Sequence, residues 1–153
     1  MTTIRRAGFT DSYNLYHCNK TVLPIYYSID EYLYFCLISP CKEILIAELD
    51  GKMVGYILAE YDESFLHVLS FGVYPEYRKM GIGGALINEL VKIAKTNGKI
   101  IGISLFVHVG NENGIIFYEK YGFKKVQTLT NYYQGSLIDV LSQDAYRLEY
   151  MIK

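Results

Sequence analysis

The chain has 153 residues, of which 51% are hydrophobic and 20% are charged, with a formal net charge of −1 at pH 7. This length fits one domain covering residues 1–153, and the apolar content is enough to form a sizeable core. The nearly neutral net charge argues against a nucleic-acid-binding protein. No apolar run in the sequence reaches the length of a transmembrane helix.

The apolar periodicity predicts a mixed α/β (α+β) domain with the element order β-α-α-β-β-β-α-β-α-β-β. Runs that alternate every second residue or are continuously apolar indicate strands, and apolar residues at helical spacing indicate helices. The predicted segments, in chain order, are residues 3–7, 11–23, a helix within 24–39, 43–49, 53–61, 65–74, 82–96, 99–109, 113–121, 124–129 and 144–152.

Turn-forming residues separate these segments. Asp50-Gly51 joins two apolar runs and is a strong hairpin signal, so the middle of the chain is predicted to be an antiparallel meander. Ser28 or Asp30 is the candidate N-cap of the second helix, and Asn97-Gly98 ends the third. Gly122 is the predicted C-cap of the fourth helix.

The stretch RKMGIGGAL, residues 78–86, places two basic side chains and three glycines before a helical apolar run. A helix N-terminus exposes unpaired backbone N–H groups, and glycines let a phosphate approach them. The stretch therefore predicts either an anion site or simply a tight strand-to-helix turn. A P-loop is excluded because no Gly-Lys-Ser/Thr follows at the required spacing, and Leu86 stands where a dinucleotide fingerprint needs its third glycine.

Two motifs resemble those of the GNAT superfamily of N-acetyltransferases. GVYPEYRKMGIGGAL (72–86) is similar to the acetyl-CoA loop Arg/Gln-x-x-Gly-x-Gly/Ala, with Arg78, Gly81 and Gly83 at the defining positions. NENGIIFYEKYGF (111–123) resembles the second pattern, Asn-x-x-Ala/Gly-x-x-x-Tyr-Glu-Lys-x-Gly-Phe. The resemblance implies the GNAT fold, a mixed and mostly antiparallel sheet of about seven strands with four flanking helices and splayed fourth and fifth strands.

The resemblance further implies acetyl-CoA as the cosubstrate, without a metal. Backbone N–H groups of residues 78–84 would hold its pyrophosphate, and those of residues 69–73 would face the thioester carbonyl. A bulge at Phe71-Gly72 would let the pantetheine arm pair with the opened strand. The implied coenzyme-binding residues are Phe71, Gly72, Val73, Arg78, Lys79, Met80, Gly81, Ile82, Gly83, Gly84, Asn111, Asn113, Ile116 and Tyr118.

The resemblance extends over nearly the whole chain and indicates one group within the superfamily. LPIYY (23–27) and NYY (131–133) are similar to segments of San-type N-terminal acetyltransferases, the catalytic subunits of NatE. The resemblance implies acetylation of protein or peptide N-termini, usually Met followed by an apolar or bulky residue, by direct attack in a ternary complex. A tyrosine's large apolar face and single polar tip suit such a peptide, although each tyrosine here can equally be an ordinary half-buried aromatic. The implied peptide-binding residues are Leu23, Pro24, Ile25, Tyr27, Leu69, Tyr132 and Tyr133.

The proton-transfer groups follow the family only in part. Tyr118 matches the family tyrosine that hydrogen-bonds the coenzyme sulfur and acts as general acid. The tyrosine and histidine expected on the fourth and fifth strands are His67 and Phe106 here. Either His67 or His108 is therefore the candidate base.

Strand alternation gives these groups an expected direction. It predicts that His67, Leu69 and Phe71 share one face of the fourth strand. It also predicts that Phe106 and His108 share one face of the fifth.

Two other functions stay open. A small-amine or lysine acetyltransferase is one, although Glu31, Asp62 and Glu63 do not obviously form the acidic pocket that a polyamine needs. The other is a weakly catalytic coenzyme-binding subunit of a larger ribosome-associated acetyltransferase complex.

The cellular location is expected to be the cytoplasm, with the nucleus as a second possibility. Cys18, Cys36 and Cys41 cannot all pair with one another and lack CxxC spacing, as in proteins of reducing compartments. The N-terminus also lacks the apolar region of a secretory signal.

Overall fold

The computed structural model describes residues 1–137 and 142–152, so residues 138–141 of the predicted connection 131–143 lie outside the described part. The described strands are β1 (Thr2–Arg6), β2 (Lys42–Leu49), β3 (Lys52–Asp62), β4 (Phe65–Val73), β5 (Gly102–His108), β6 (Lys124–Leu129) and β7 (Ala145–Met151). The described α-helices are α1 (Ser12–Val22), α2 (Ile29–Leu37), α3 (Ile82–Thr96) and α4 (Glu112–Lys120). This order confirms the one predicted from the sequence.

Local signals in the sequence account for several element boundaries. The turn between β2 and β3 has Asp50 and Gly51 at positive φ values of 52° and 77°, as the tight hairpin turn requires. Ser28 and Glu31 form a capping box at the start of α2, which decides between the two candidate caps. The C-cap of α4 is Tyr121 rather than the predicted Gly122, because the helix ends at Lys120, and Gly122 follows in the left-handed conformation at φ 96°.

All seven strands form one sheet in the order β1-β2-β3-β4-β5-β7-β6. Every neighbouring pair is antiparallel except β4 and β5, which are parallel. The mixed, mostly antiparallel sheet with four helices confirms the predicted architecture.

The parallel pair separates towards its carboxyl ends. β4 and β5 are paired only where Phe65–Val68 faces Gly102–Leu105. β4 continues to Val73 and β5 to His108, so the strands part and leave an opening at this end of the sheet. The predicted splay is therefore confirmed.

A β-bulge lies in β4 just where the pairing with β5 ends. In the pairing of β3 with β4, Leu58 faces Ser70 and Ala59 faces Val68, so Leu69 is the extra residue. The bulge expected at Phe71-Gly72 is therefore wrongly placed, because the cross-strand register puts it two residues earlier.

The bulge changes which face the later residues of β4 occupy. Leu69 packs with the residues beneath α1 and α2, and Ser70 bonds to Tyr56 in that same cluster. Phe71 instead packs against the core beneath α3 and α4. The prediction that His67 and Phe71 share one face is wrong, because the extra residue shifts the alternation by one.

The two faces of the sheet carry separate apolar clusters. Buried side chains of α3 fill one side together with Phe117 and Tyr118 of α4 and Tyr121, which follows α4. The other side is smaller and is built from Leu15 and Cys18 of α1 and Tyr32 and Phe35 of α2 with their strand partners. No described helix combines the length and apolar character needed to cross a membrane.

Candidate active site

The glycine-rich loop presents backbone donors at the start of α3. Gly81 is the N-cap and has φ 80°, and Lys79 before it has φ 62°. The backbone N–H groups of residues 79–84 donate to no other described residue. These donors lie at the positive end of the helix dipole, so this part of the chain fits a phosphate.

Two glycines of the loop also allow close packing. A Cβ on Gly83 would lie 3.2 Å from Phe117 and 3.3 Å from Phe71. A Cβ on Gly84 would collide with the hydroxyl of Tyr121 and lie 2.6 Å from its Cζ. Close packing therefore requires glycine at both positions, whether or not the loop binds an anion.

The loop's charged and apolar side chains point outward. The guanidinium of Arg78 is anchored because its Nε donates to the Val73 carbonyl over 2.9 Å. Lys79 and Met80 are exposed, Met80 by 56%. A cation and a flexible apolar side chain thus flank the backbone donors.

Asn111 shapes the second motif. Its Oδ1 accepts the Gly114 N–H over 3.0 Å, which makes it the N-cap of α4. Asn113 and Ile116 lie exposed on the first turns of the same helix. The described contacts assign capping to Asn111 and leave the other two side chains open to solvent.

Tyr118 sits within α4 on the face that covers the larger core. Its ring packs against Phe71 at 6.2 Å, Phe117 at 5.4 Å and Phe123 at 5.7 Å between centroids. Burial raises the pKa of Tyr118 well above its ordinary value, and the nearby Tyr133 adds to this. The hydroxyl is therefore protonated at neutral pH, and it has no hydrogen-bond partner within residues 1–137 and 142–152.

His67 lies on the opposite side of the sheet, and only 6% of it is exposed. Its Nδ1 is 2.7 Å from Ser104 Oγ, and Phe106 packs edge-on against the ring at 4.8 Å between centroids. Burial lowers the pKa of His67, and the guanidinium of Arg147 lowers it further. The imidazole is therefore neutral at pH 7 and can accept a proton.

His108 is engaged at both ring nitrogens. Nε2 donates to the Ser142 carbonyl over 2.6 Å, and Nδ1 accepts the Gly110 N–H over 3.1 Å. These two bonds fix one tautomer and tie the end of β5 to the segment that precedes β7. Of the two candidate bases, His67 is the one whose second nitrogen remains available.

An aromatic wall, defined as Tyr27, Phe106, Tyr132 and Tyr133, stands beside His67. Phe106 lies 4.8 Å from Tyr132, which lies 5.0 Å from Tyr133. Tyr27 comes from the loop between α1 and α2 and is close enough to Tyr132 for the two to interact electrostatically. His108 contacts Tyr133 at 5.7 Å, so Phe106 and His108 share a face as predicted.

The remaining predicted peptide-binding residues lie on the same side. Tyr27 and Leu69 both pack on the cluster beneath α1 and α2. Leu23 is the half-buried C-cap of α1, and Pro24 and Ile25 form the exposed rim. The two loops therefore flank one surface of the sheet.

Comparison with known proteins identifies the chain. Residues 10–123 match the sequence profile of the Acetyltransferase (GNAT) family. The chain belongs to this family. It is 33% identical to an N-alpha-acetyltransferase of Sulfurisphaera tokodaii over 146 residues, which covers 85% of this chain and 84% of that protein.

Two further relatives extend the comparison. The GNAT enzyme is 28% identical to N-alpha-acetyltransferase 50 of Danio rerio, covering 76% of this chain and 70% of that protein. It superposes on NAA60 of Arabidopsis thaliana in complex with acetyl-CoA with a TM-score of 0.85, at 25% identity and 99% coverage of both chains. The backbone donors of its glycine loop thus occur in a fold with known acetyl-CoA complexes.

A buried polar cluster supports the loop that carries Tyr27 in the GNAT enzyme. Asn19, which is fully buried, accepts from Tyr32 Oη over 2.7 Å and from the Tyr27 N–H over 3.1 Å, and it donates to the Ile25 carbonyl over 3.3 Å. Sequence reasoning missed Asn19, because an asparagine inside an amphipathic helix gives no signal of a tertiary role.

Ser104 was also missed, although the sequence holds a faint signal. Apart from His108 at its end, Ser104 is the single polar residue of this otherwise apolar strand, and it is 1% exposed. No group of three or more His, Cys, Asp or Glu residues in the described part of the GNAT enzyme is arranged to hold a metal ion.

Proposed function

We propose that this GNAT enzyme acetylates the N-terminal amine of proteins, preferring Met followed by an apolar or bulky residue. The proposal depends above all on the aromatic wall, in which Phe106 packs against His67 and Tyr132 packs against Phe106, with Tyr27 of the other loop near Tyr132. The names of the Sulfurisphaera tokodaii and Danio rerio relatives support the same reaction.

The surface around the wall suits an uncharged first residue. Leu69 packs in the same cluster as Tyr27, and Leu23 and Ile25 belong to the loop that carries Tyr27. A charged side chain held against these apolar groups would lose hydration without a partner. Burial raises the pKa of Tyr27 and of Tyr132, and it raises the pKa of Tyr133 to about 12. All three hydroxyls therefore stay protonated and can donate to peptide carbonyls.

His67 acts as the proton acceptor in this proposal. An α-amino group has a pKa of about 8, so roughly a tenth of it is neutral at pH 7 and a weak base suffices. Nε2 takes the proton directly or through one water. His108 serves a structural role, because both its nitrogens already bond within the protein.

On the opposite face of the sheet, the backbone donors of residues 79–84 would hold the pyrophosphate of acetyl-CoA, with Lys79 adding charge. Acetyl-CoA supplies the activated acetyl group. Tyr118 would donate its hydroxyl proton to the departing sulfur, since its raised pKa keeps that proton in place until it is needed. The reacting amine and thioester would meet in the opening between β4 and β5.

The proposed location is the cytoplasm or nucleus. Cys18, Cys36 and Cys41 are all free thiols, which fits a reducing compartment.

Acetylation of synthetic peptides tests the function. The substrates are a peptide beginning Met-Leu, the same peptide with a blocked α-amine and an internal lysine, and spermidine. We expect turnover of the first alone, and we expect His67→Phe and Tyr118→Phe to lower kcat at least tenfold, in keeping with general acid–base contributions of about 100-fold or more. Tyr34→Phe, on an exposed tyrosine of α2, is the matched control.

Each alternative has its own outcome. Folded protein that binds acetyl-CoA but acetylates no Met-initiated peptide would reject the proposal. Preference for spermidine or for the internal lysine would indicate a small-amine or side-chain acetyltransferase. Equal, near-background rates for wild type, His67→Phe and Tyr118→Phe would indicate a coenzyme-binding subunit.

A further inference from the structure

A buried serine faces the proposed base across the parallel strand pair. Ser104 of β5 is the register partner of His67 of β4, and the next pair, Val68 with Leu105, is the last before the strands part. The 2.7 Å bond between Ser104 Oγ and His67 Nδ1 joins two side chains that are only 1% and 6% exposed. The bond therefore lies at the closed end of the opening, shielded from competing water.

The ring of His67 is restrained on two sides and open on a third. Ser104 holds one nitrogen and Phe106 packs against the ring. Nε2 has no partner in the described part of the chain, where every fully enclosed side-chain nitrogen or oxygen has one. Nε2 therefore reaches open space.

The direction of the bond decides what His67 can do. A serine hydroxyl can donate or accept, and a neutral imidazole carries one N–H. If Ser104 donated to Nδ1, the ring proton would sit on Nε2, and the exposed nitrogen could not accept another. If Nδ1–H donates to Ser104, the Nε2 lone pair stays free, and the same bond survives when Nε2 becomes protonated.

We propose that Ser104 is a positioning residue that accepts the Nδ1–H of His67 and so keeps the Nε2 lone pair facing the open side. The proposal rests on the proposed function for its catalytic consequence. The hydroxyl acts through His67 and touches neither the substrate nor the coenzyme.

An uncharged orienting group also keeps the base weak. Three charged groups act on the pKa of His67. Glu60 and Asp62 of β3 favour its protonated form, and Arg147 of β7 opposes it. Glu149, the register partner of Ser104, bonds to Arg147 over 2.8 Å. Because no carboxylate within residues 1–137 and 142–152 bonds to the ring, His67 is suited to an α-amine rather than to a lysine amine with a pKa of about 10.4.

Histidine 15N NMR tests the bond without any substrate. The chain has three histidines, and the His67 signals are identified by their loss in His67→Phe. We expect protonated Nδ1 and unprotonated Nε2 in the wild type, loss of that preference in Ser104→Ala, and its return in Ser104→Thr. Ser64→Ala, in the turn before β4, should leave the tautomer unchanged.

Kinetics provide the second measurement. Ser104→Ala should lower kcat for the Met-Leu peptide roughly three- to tenfold, the value of one neutral hydrogen bond, and leave acetyl-CoA affinity unchanged. The limb of its pH–rate profile that reports His67 should shift relative to wild type, and Ser104→Thr should restore both kcat and the position of that limb.

The outcomes separate the two proposals. A wild-type ring protonated on Nε2, or a Ser104→Ala spectrum identical to the wild type, would overturn the role of Ser104 whatever the enzyme acetylates. Absence of wild-type turnover with every N-terminal peptide would overturn the proposed function, while the NMR result would still decide the hydrogen bond.

Discussion

Asn19→Leu should separate peptide recognition from coenzyme binding. Leucine has a similar volume but removes the three hydrogen bonds that tie α1 to α2 and to residues 25–27. The hydroxyl of Tyr32 is fully buried and loses its 2.7 Å acceptor, whereas the backbone groups of Ile25 and Tyr27 lie nearer the surface and can be hydrated.

The expected cost follows from which groups stay buried. One unsatisfied buried polar group costs about 1–3 kcal/mol, and Ser70 and Tyr56 near the Tyr32 hydroxyl offer partial compensation. We therefore expect the free energy of unfolding to fall by about 2 kcal/mol. If returning the loop to its binding position costs a comparable energy, about 1.4 kcal/mol, kcat/KM for the Met-Leu peptide should fall about tenfold.

The measurements are urea unfolding, peptide kinetics and acetyl-CoA titration calorimetry. Asn14→Leu, on an exposed position of α1, is the matched control and should behave as the wild type. The Kd for acetyl-CoA should stay unchanged in both variants, because its proposed site lies on the other face. Peptide kcat/KM within twofold of wild type in a folded Asn19→Leu protein would refute the role of Asn19 in holding the loop.

Two further predictions concern stability. His67 has a lowered pKa in the folded protein. Its contribution to the free energy of unfolding is therefore complete above the unfolded pKa of about 6.5 and is lost as pH falls towards the folded pKa. Urea unfolding at pH 7 and pH 5 should therefore show a smaller acid-induced loss for His67→Gln than for wild type, and equal losses would contradict the pKa direction. Gly84→Ala should destabilise, because overpacking against Tyr121 costs about 1–3 kcal/mol and exceeds the helix-propensity gain of about 1 kcal/mol. Gly98→Ala meets no atom within 4 Å and is the control, and a Gly84→Ala protein as stable as this control would disprove the clash.

Local sequence signals were sufficient for the order of elements. Three boundary signals depend only on residues within one turn of each other, so they can be recognised without knowing the fold. They are the hairpin at Asp50-Gly51, the Ser28 cap and the stop at Gly122. The glycine loop and Tyr118 were found in the same way, through motifs that are continuous in the chain.

The interactions that tune the site could not be predicted from residues that are neighbours in the sequence. Ser104 and His67 are separated by 37 residues, and His108 and Ser142 by 34, so only the assembled sheet shows that they bond. The bulge at Leu69 depends on the register of β3 against β4, and no residue in β4 marks it. Periodicity alone therefore placed Phe71 on the wrong face.

In the proposed function, the bulge in β4 would let one strand serve both substrates. Before it, His67 faces the aromatic wall, and after it, Phe71 packs beside Tyr118 on the proposed coenzyme face. With uninterrupted alternation His67 and Phe71 would lie on one side, and the ring that packs against both Gly83 and Tyr118 would be lost from the larger core. The extra residue occurs immediately after the last pair of β4 with β5, so the change of face and the parting of the strands coincide. In the proposed reaction, an amine from one face would meet a thioester from the other in this opening, and that placement would favour direct transfer between the two substrates over transfer by way of a side chain.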